Sequence, residues 1–457
     1  MSNFIKFDII EKVRGGSKMK KLSFQKIFCF ISILFILSCC IFYGTRFTKL
    51  YLQNRKVEIA EKNSLVKVLK ENNETNEDFK AVNGENYFTN KTANNYVLYS
   101  GILWRIIKLN SDNSLTVISD KAVTSLAYAK EMKFNESYIF NWLNKTDKEY
   151  SGIFESSVNS IDTYLQKVTS CTDTLDELSN NPCEKLNTDN YFTLLSVVDY
   201  LNIGSKDSYL ANGEYFYLSN DNSEGKIWYV DDEGKVSLNP GNDIIGVRPV
   251  TNIKSNVDYV SGDGTKEKPY VLEKEPGYLG SYVKLGNETW RVYQVNENDV
   301  RLMLNDYLKV NDNNLKYRYS TTNSYHNDTA GGSIAYYLNH DFLDSLSYKD
   351  KIKEVSWPNG YYNNSVKYDY TYSLKNTIQS KVALISIGDI NIKPELNNYF
   401  TMTGASDKSS QVYIINEDKK LYIKQVGSEL NVVPVISIEK SLLTKGNGTS
   451  DSPYEME

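Results

Sequence analysis

The apolar positions along this chain, together with its polar breaks, predict strands and short helices. Residues 96–110 are rich in β-forming side chains, and a polar step at 111–113 separates them from a second apolar run at 115–118. This order predicts a β-hairpin with a polar turn. The apolar spacing at 137–143 and at 333–338 predicts two short helices.

The same motifs occur twice, about 185 residues apart, a period that is too long for a solenoid and fits two tandem globular domains. The first copy contains GVRPV at 246–250, GDGT at 262–265 and PY at 269–270. The second copy contains NVVPV at 431–435, GNGT at 446–449 and PY at 453–454. The repeat predicts one domain at 83–273 and a second at 274–457.

The fold class predicted for each copy is β-rich α+β, because one early helix lies among several hairpins. The composition agrees with this prediction. The chain has 36 Tyr and 17 Phe residues, and broad aromatic side chains pack well on pleated sheets.

An apolar run at 27–43 predicts an N-terminal membrane anchor. At ~1.5 Å per residue it spans about 26 Å, close to the ~30 Å hydrocarbon core of a bilayer. Basic residues flank it on both sides and barely decide its orientation. The short tail at 1–26 and the predicted disulfide favour a single-pass protein of the cell membrane, with a cytoplasmic tail and extracellular C-terminal domains. A cleaved secretory signal and a lipoprotein signal ending at Cys39 are alternatives.

The segments around the anchor carry two further predictions. Residues 1–18 have the character of an upstream leader, so translation begins either at Met1 or at Met19, where a Met-Lys-Lys opening starts. Residues 44–82 are predicted to be a stalk and linker, with a helix as far as Lys70 and a polar, flexible spacer at 71–78. The alternative for the stalk is a helix packed on the first domain.

The repeated motifs resemble those of C-type-lectin-like domains. Four motifs carry the resemblance: a Trp-Arg strand near the start of each copy, a Leu-Leu-Ser strand, a Trp-bearing hairpin and a closing Arg-Pro-Val strand. The residues of these motifs include Trp104, Arg105, Arg248 and Pro249 in the first copy. In the second copy they include Trp290, Arg291 and Pro434. The nearest variant is an uncharacterised bacterial surface family whose fold is related to the formylglycine-generating enzyme. The resemblance covers both copies and implies a structural role for Arg248, which Val433 replaces in the second copy.

Cys171 and Cys183 lie in a polar stretch that contains Pro182. We predict a disulfide between them, and closing such a loop stabilises a fold by about 3 kcal/mol in the chain-entropy model. A free pair of thiols and a metal site are the alternatives, although two thiols without a nearby His leave a zinc shell incomplete. The enzymatic relatives use cysteines late in the domain, and residues 184–457 contain no Cys.

The candidate chemistry of the chain is sparse, and we expect no catalytic residues, no metal and no cofactor. His326 and His340 stand in polar contexts that indicate exposed positions. Asp258, Asp263 and the acidic turn 231–233 offer oxygen ligands for calcium, and the favoured alternative is that these acidic turns are simply solvated. Exposed aromatic pairs such as Tyr361-Tyr362 are candidates for stacking on sugars, with packing as the alternative.

The net charge of −5 argues against a nucleic-acid partner, which requires a basic surface. The abundance of Asn, Lys, Tyr and Ile indicates AT-rich coding and a bacterial source. We predict a membrane-anchored extracellular binding or adhesion protein that is not an enzyme. Its ligand is a glycan, a cell-wall polymer or a protein. The alternative is a structural or assembly component of the cell envelope that binds no small ligand.

Overall fold

The structure is a computed structural model of the chain. The residues it describes are 46, 64–82, 84–129, 133–275, 277–325, 332–362, 374–405 and 410–456. Residues 63–457 form one compact unit. The predicted anchor and the tail before it lie outside the described residues. Within the described part of the chain, no helix is long and apolar enough to cross a membrane.

The described residues are rich in strands and contain few, mostly short helices, which confirms the β-rich α+β class. The helices are α1 (Leu65–Asn76), α2 (Tyr138–Leu143), α3 (Ile153–Ser157), α4 (Ile161–Tyr164), α5 (Val197–Ile203), α6 (Ile334–Tyr337) and α7 (Leu343–Ser345), with a π-helical turn, Leu338–Phe342, between the last two. Both predicted helices are confirmed, and each begins at a serine. The Oγ atoms of Ser137 and Ser333 accept hydrogen bonds from the third backbone N–H that follows, which satisfies a donor that the helix itself leaves free.

The strands of the two copies are as follows. The first copy has β1 (Phe79–Val82), β2 (Glu85–Phe88), β3 (Tyr96–Tyr99), β4 (Ile102–Leu109), β5 (Leu115–Ser119), β6 (Thr124–Leu126), β7 (Leu165–Gln166), β8 (Val168–Cys171), β9 (Leu186–Asn190), β10 (Phe216–Asp221), β11 (Ile227–Val230), β12 (Val236–Asn239), β13 (Ile245–Val247), β14 (Val250–Ile253) and β15 (Tyr270–Val271). The second copy has β16 (Tyr282–Leu285), β17 (Glu288–Val295), β18 (Asp299–Leu304), β19 (Lys309–Val310), β20 (Asn313–Asn314), β21 (Lys316–Arg318), β22 (Val355–Pro358), β23 (Thr377–Ser380), β24 (Val382–Leu384), β25 (Tyr399–Gly404), β26 (Gln411–Ile415), β27 (Leu421–Gln425), β28 (Glu429–Asn431), β29 (Pro434–Glu439), β30 (Leu443–Lys445) and β31 (Tyr454–Met456).

The repeated sequences occupy equivalent strands. In the first copy β3, β4, β5 and β14 are neighbours in one sheet, and in the second copy β16, β17, β18 and β29 are neighbours in the same order. A second sheet runs β12-β11-β10-β13-β6 in the first copy and β27-β26-β25-β28-β21 in the second. Each sheet takes its described strands from one copy. The domain boundary at 273/274 remains a prediction, because residues 63–457 cluster as one unit.

The GDGT and GNGT motifs make the same backbone hydrogen bond in both copies, and we call this arrangement the clasp. The carbonyl oxygen of Gly264 accepts a hydrogen bond of 2.9 Å from the Tyr96 amide, and Gly448 does the same for Tyr282. The last strand of each copy then pairs in parallel with the strand that contains this tyrosine, as β15 with β3 and β31 with β16. The motif therefore ties the end of each copy to its beginning.

Both copies have a well-buried aromatic core. Trp104 and Trp290 are fully buried at equivalent positions of β4 and β17. The core of the first copy also continues into residues of the second copy, namely Tyr362, Leu374, Ile387, Ile390, Ala405 and Tyr413. The two copies therefore pack on each other through apolar side chains.

Two details of the N-terminal half differ from the sequence prediction. The prediction of a flexible spacer at 71–78 is wrong, because α1 continues to Asn76 and β1 then pairs with β2. Leu65 and Leu69 are buried in the core of the first copy, which corresponds to the packed-helix alternative. The run at 96–110 is divided by a tight turn in which Gly101 has φ +68°.

The disulfide between Cys171 and Cys183 is formed, as predicted. The loop that it closes packs on the β10–β11 hairpin, where the indole Nε1 of Trp228 donates a 2.9 Å hydrogen bond to the Leu175 carbonyl oxygen. The Asp173 carboxylate also accepts hydrogen bonds from the amides of Glu184 and Lys185, at 2.8 and 2.7 Å. The disulfide therefore closes a short loop that packs on this hairpin.

Candidate functional site

A cleft of about 800 Å³ lies between the two copies. On the side of the first copy it is lined by residues 120–125, which lead from β5 into β6, and by the loop 212–215. On the side of the second copy it is lined by parts of the loop 385–395 and by the β26–β27 turn at 418–421. Its walls therefore come from segments that are far apart in sequence.

Three contacts between the copies hold these walls in place. The Asn391 amide donates a 2.7 Å hydrogen bond to the Val123 carbonyl oxygen. The indole Nε1 of Trp142 donates one of 2.7 Å to the carbonyl oxygen of Gly388. At the outer rim Lys420 Nζ lies 2.7 Å from a carboxylate oxygen of Asp232. One backbone hydrogen bond, one hydrogen bond from a buried indole and one ion pair therefore hold the walls of the cleft together.

The charged side chains of the cleft are mostly paired. Lys121 Nζ lies 3.1 Å from the Glu214 carboxylate. Asp120 is buried, and its carboxylate oxygen lies 3.8 Å from Arg105 Nη1. The ion pair of Lys420 with Asp232 closes the rim. This balance suits a polar ligand without a large net charge.

The cleft contains one exposed aromatic residue that is suited to contacting a ligand and one buried carboxamide. The Tyr215 ring is 39% exposed, and Lys420 Nζ lies 5.2 Å from its centroid. The Asn212 carboxamide donates through Nδ2 to the Asp120 carbonyl oxygen at 2.8 Å. Its Oδ1 atom is buried and accepts no hydrogen bond in the described part of the chain. Because this atom has almost no exposed surface, it is a buried acceptor of the cleft wall and not a contact for a ligand.

Asp389 is the most perturbed acidic group of the cleft. Its Oδ2 accepts a 2.7 Å hydrogen bond from the Ser386 amide. Burial raises the pKa of Asp389 to about 6, against the opposing effects of the Arg301 charge and of this hydrogen bond. Arg301 lies with its guanidinium carbon 4.7 Å from the centroid of the Trp357 ring. Asp389 therefore lines the cleft as a largely buried carboxylate that interacts electrostatically with Arg301.

The motif residues named from the sequence lie in the core. Arg248 is fully buried; its Nε donates to the Ser119 carbonyl oxygen at 2.9 Å and its Nη1 to that of Leu210 at 3.1 Å. Burial lowers the pKa of Arg248 to about 10. Val433 is also fully buried. Pro249 and Pro434 are buried next to these two positions.

The two Trp-Arg motifs keep a similar arrangement in both copies. The Arg105 guanidinium carbon lies 3.9 Å from the centroid of the Tyr96 ring, and that of Arg291 lies 4.1 Å from the centroid of Tyr282. Burial lowers the pKa of Arg291. These arginines stack on tyrosines of β3 and β16 and support those strands.

Among the candidate calcium ligands, Asp263 and Asp231 accept hydrogen bonds from groups within their own turns. Asp263 Oδ1 accepts hydrogen bonds from Thr265 N and Oγ1, at 3.1 and 2.7 Å. Asp231 Oδ1 accepts from the amides of Glu233 and Lys235 in the same way, and Asp258 is exposed. Among the described residues, the group of potential metal ligands that lies close enough to share an ion is Cys171, Asp173 and Cys183, and its two sulfur atoms are joined in the disulfide.

Three further sequence candidates can be placed or set aside. His340 is exposed and stacks on Tyr336 with 3.9 Å between the ring centroids, whereas His326 lies outside the described residues. Tyr362 is 2% exposed and belongs to the core, which corresponds to the packing alternative and not to stacking on sugars. Sequence reasoning missed Tyr215 as a cleft residue, since its surroundings come from both copies.

Comparisons with protein-family models, with curated proteins and with solved structures give no match to this chain.

Proposed function

We propose that this chain is a membrane-anchored extracellular binding or adhesion protein whose ligand enters the cleft between the two copies. In this proposal residues 27–43 anchor it as a single-pass protein in the cell membrane. The repeats at 83–273 and 274–457 are tandem C-type-lectin-like domains outside the cell. The protein is not an enzyme and holds no resident cofactor.

The observation that carries this proposal is the cleft itself. Both copies contribute walls to it, and contacts such as that of Asn391 with Val123 brace it. Binding sites in proteins are typically concave, largely preformed and located between structural units. The volume of about 800 Å³ falls within the range of small-molecule sites.

The lining favours a neutral, polar ligand such as a glycan or a segment of cell-wall polymer. Ion pairs such as Lys121 with Glu214 leave little net charge to attract an ionic ligand. The exposed Tyr215 ring offers an apolar face for a sugar ring.

The test is a binding assay with residues 63–457, which contain both cores as one compact unit. Purified cell wall and a panel of neutral glycans are titrated, with and without EDTA. Saturable binding is expected, and Tyr215→Ala should weaken it about tenfold, the loss of a stacking contact worth about 1.4 kcal/mol. The matched control is Tyr422→Ala, which removes an exposed tyrosine outside the cleft lining.

Each outcome of this assay has a distinct meaning. Loss of binding with EDTA would assign calcium to the site. Equal losses in Tyr215→Ala and Tyr422→Ala, or no binding by the folded protein, would contradict a ligand site in the cleft.

The second candidate is an assembly component of the envelope, and one observation favours it. Leu178 and Leu186 are exposed on and beside the disulfide loop, where they could contact a protein partner. If cell wall and glycans fail to bind, a Leu178→Ser, Leu186→Ser double variant tests this surface by its effect on co-purifying envelope proteins.

A further inference from the structure

Lys393 presents its amine to a carboxamide inside the second copy. Its side chain is 9% exposed. Nζ donates a 3.2 Å hydrogen bond to Oδ1 of Asn305 and also contacts a carboxylate oxygen of Glu395. A nearly buried amine, a carboxamide and a carboxylate thus converge at one point of the fold.

The backbone holds both partners in this position. Asn305 follows β18, and its amide donates a 2.9 Å hydrogen bond to the Thr289 carbonyl oxygen. Lys393 begins a turn in which its carbonyl oxygen accepts from the Leu396 amide at 3.1 Å. Its own amide donates to Asn391 Oδ1 at 3.1 Å. The amine and the carboxamide are therefore oriented by groups that do not take part in their contact.

The equivalent position of the first copy shows what is particular about this pair. Asp120 occupies the place of Asn305, since its amide donates to the Leu103 carbonyl oxygen as that of Asn305 does to Thr289. Its carboxylate faces Arg105, so this position holds an ion pair in the first copy. In the second copy a nucleophilic amine faces an amide, which is the combination that can condense by releasing ammonia.

We propose that Lys393 and Asn305 form an intramolecular isopeptide bond. Glu395 accepts a proton from the Lys393 ammonium group, and the freed Nζ attacks Cγ of Asn305. The new Nζ–Cγ bond forms and the Cγ–Nδ2 bond breaks. The protonated Glu395 gives its proton to the leaving nitrogen and then takes the second proton from Nζ, which leaves a neutral secondary amide. The released ammonia accepts that proton from Glu395 and departs as ammonium. The reaction consumes one amine and one primary amide and requires no oxidant or other reactant.

The position of this crosslink would fix the cleft. Asn305 directly follows β18 of the first sheet of the second copy, whereas Lys393 lies in the loop whose residues Asn391 and Glu395 line the cleft. The bond would join that loop covalently to the sheet behind it. This inference rests on the geometry at Lys393 and is independent of the ligand proposed above.

Mass spectrometry of the full-length chain tests the proposal. After reduction and denaturation, the intact mass should be lower than the sequence mass by one ammonia. Digestion should yield a branched peptide that joins the Asn305 and Lys393 segments. A second Lys–Asn pair of the same chain serves as the control. Lys70 Nζ donates a hydrogen bond of 2.6 Å to Asn113 Oδ1, but both side chains are exposed. The peptides that contain these two residues should stay linear.

Variants separate the roles of the three residues. Lys393→Arg should restore the full mass, because a guanidinium does not attack the amide, and Glu395→Gln should leave most of the protein uncrosslinked. Lys70→Ala should keep the mass deficit. The mass of the wild-type chain tests the proposal even if one of the variants folds poorly. A wild-type chain of full mass, with Asn305 and Lys393 in separate linear peptides, would overturn the proposal.

Discussion

Trp142 of the first copy donates its indole N–H to the carbonyl oxygen of Gly388 in the second copy, at 2.7 Å. Both Trp142 and the turn that contains Gly388 are buried. Trp142 also stacks on Phe154, with 5.4 Å between the ring centroids. The indole therefore links the aromatic core of one copy to a backbone atom of the other.

Trp142→Phe should test this link between the copies, because it removes the hydrogen bond and also leaves a smaller ring in the core. A buried carbonyl oxygen left without a donor costs about 1–3 kcal/mol, and urea unfolding should show a loss of at least this size, since the smaller ring adds a cavity. Because the bond joins the copies, the transition should also broaden. Trp228→Phe is the control: it removes an indole hydrogen bond within the first copy and should shift the midpoint without broadening it. Equal broadening in both variants would argue against coupling through Trp142.

Gly262 and Gly446 occupy positions that exclude a side chain. Their φ angles are +101° and +78°, and an added Cβ would lie 1.9 Å from the carbonyl oxygen of Pro269 or Pro453, respectively. Alanine at either position should cost about 2–4 kcal/mol from backbone strain and overpacking, measured by urea unfolding. The control is Gly427→Ala, because its added Cβ meets no atom within 4 Å. Tolerance of alanine at Gly262 would show that the clasp is dispensable.

The parts of the fold that the sequence predicts are those governed by local geometry. Glycines with positive φ mark the clasp in both copies, and serines mark the starts of α2 and α6. Cys171 and Cys183 close a short loop, so their pairing follows from proximity along the chain. The turn at Gly101 was missed because the apolar run continues on both sides of it.

The cleft could not be predicted in this way. Tyr215 and Lys420 lie in different copies, and their contact depends on how the copies pack. The same holds for Asn305 and Lys393, which meet only after the second copy has folded. Neither pair forms a motif, since each residue type is common in this chain and the spacing carries no periodic signal. Their chemistry arises from tertiary structure.

Helix α1 is expected to be part of the folded unit. Leu65 is fully buried, so Leu65→Ala should lower the free energy of unfolding of the 63–457 fragment by about 2–5 kcal/mol. Lys67→Ala, at an exposed position of the same helix, should have little effect. A fragment that begins at residue 83 should be less stable than the 63–457 fragment by at least the Leu65→Ala loss. Equal stability of the two fragments would restore the interpretation of 44–82 as a stalk.

Asp389 should make stability depend on pH in the acidic range. Its pKa is raised from 3.8 to about 6 in the folded protein, so between these values the folded state binds a proton that the unfolded state has lost. The stabilisation from this proton is complete below pH 4 and is lost as the pH rises through 6. Two pKa units correspond to about 3 kcal/mol at most.

Asp389→Asn should remove this dependence, because the amide stays neutral at every pH. The variant and the wild type should have similar free energies of unfolding near pH 4, and the variant should be the more stable at pH 7. Comparing urea unfolding curves of the two proteins across this range cancels the titration of the other groups. If the difference in free energy of unfolding between the two proteins stays constant with pH, Asp389 has the same pKa in the folded and unfolded states. In that case the charge of Arg301 offsets the cost of burying the Asp389 carboxylate.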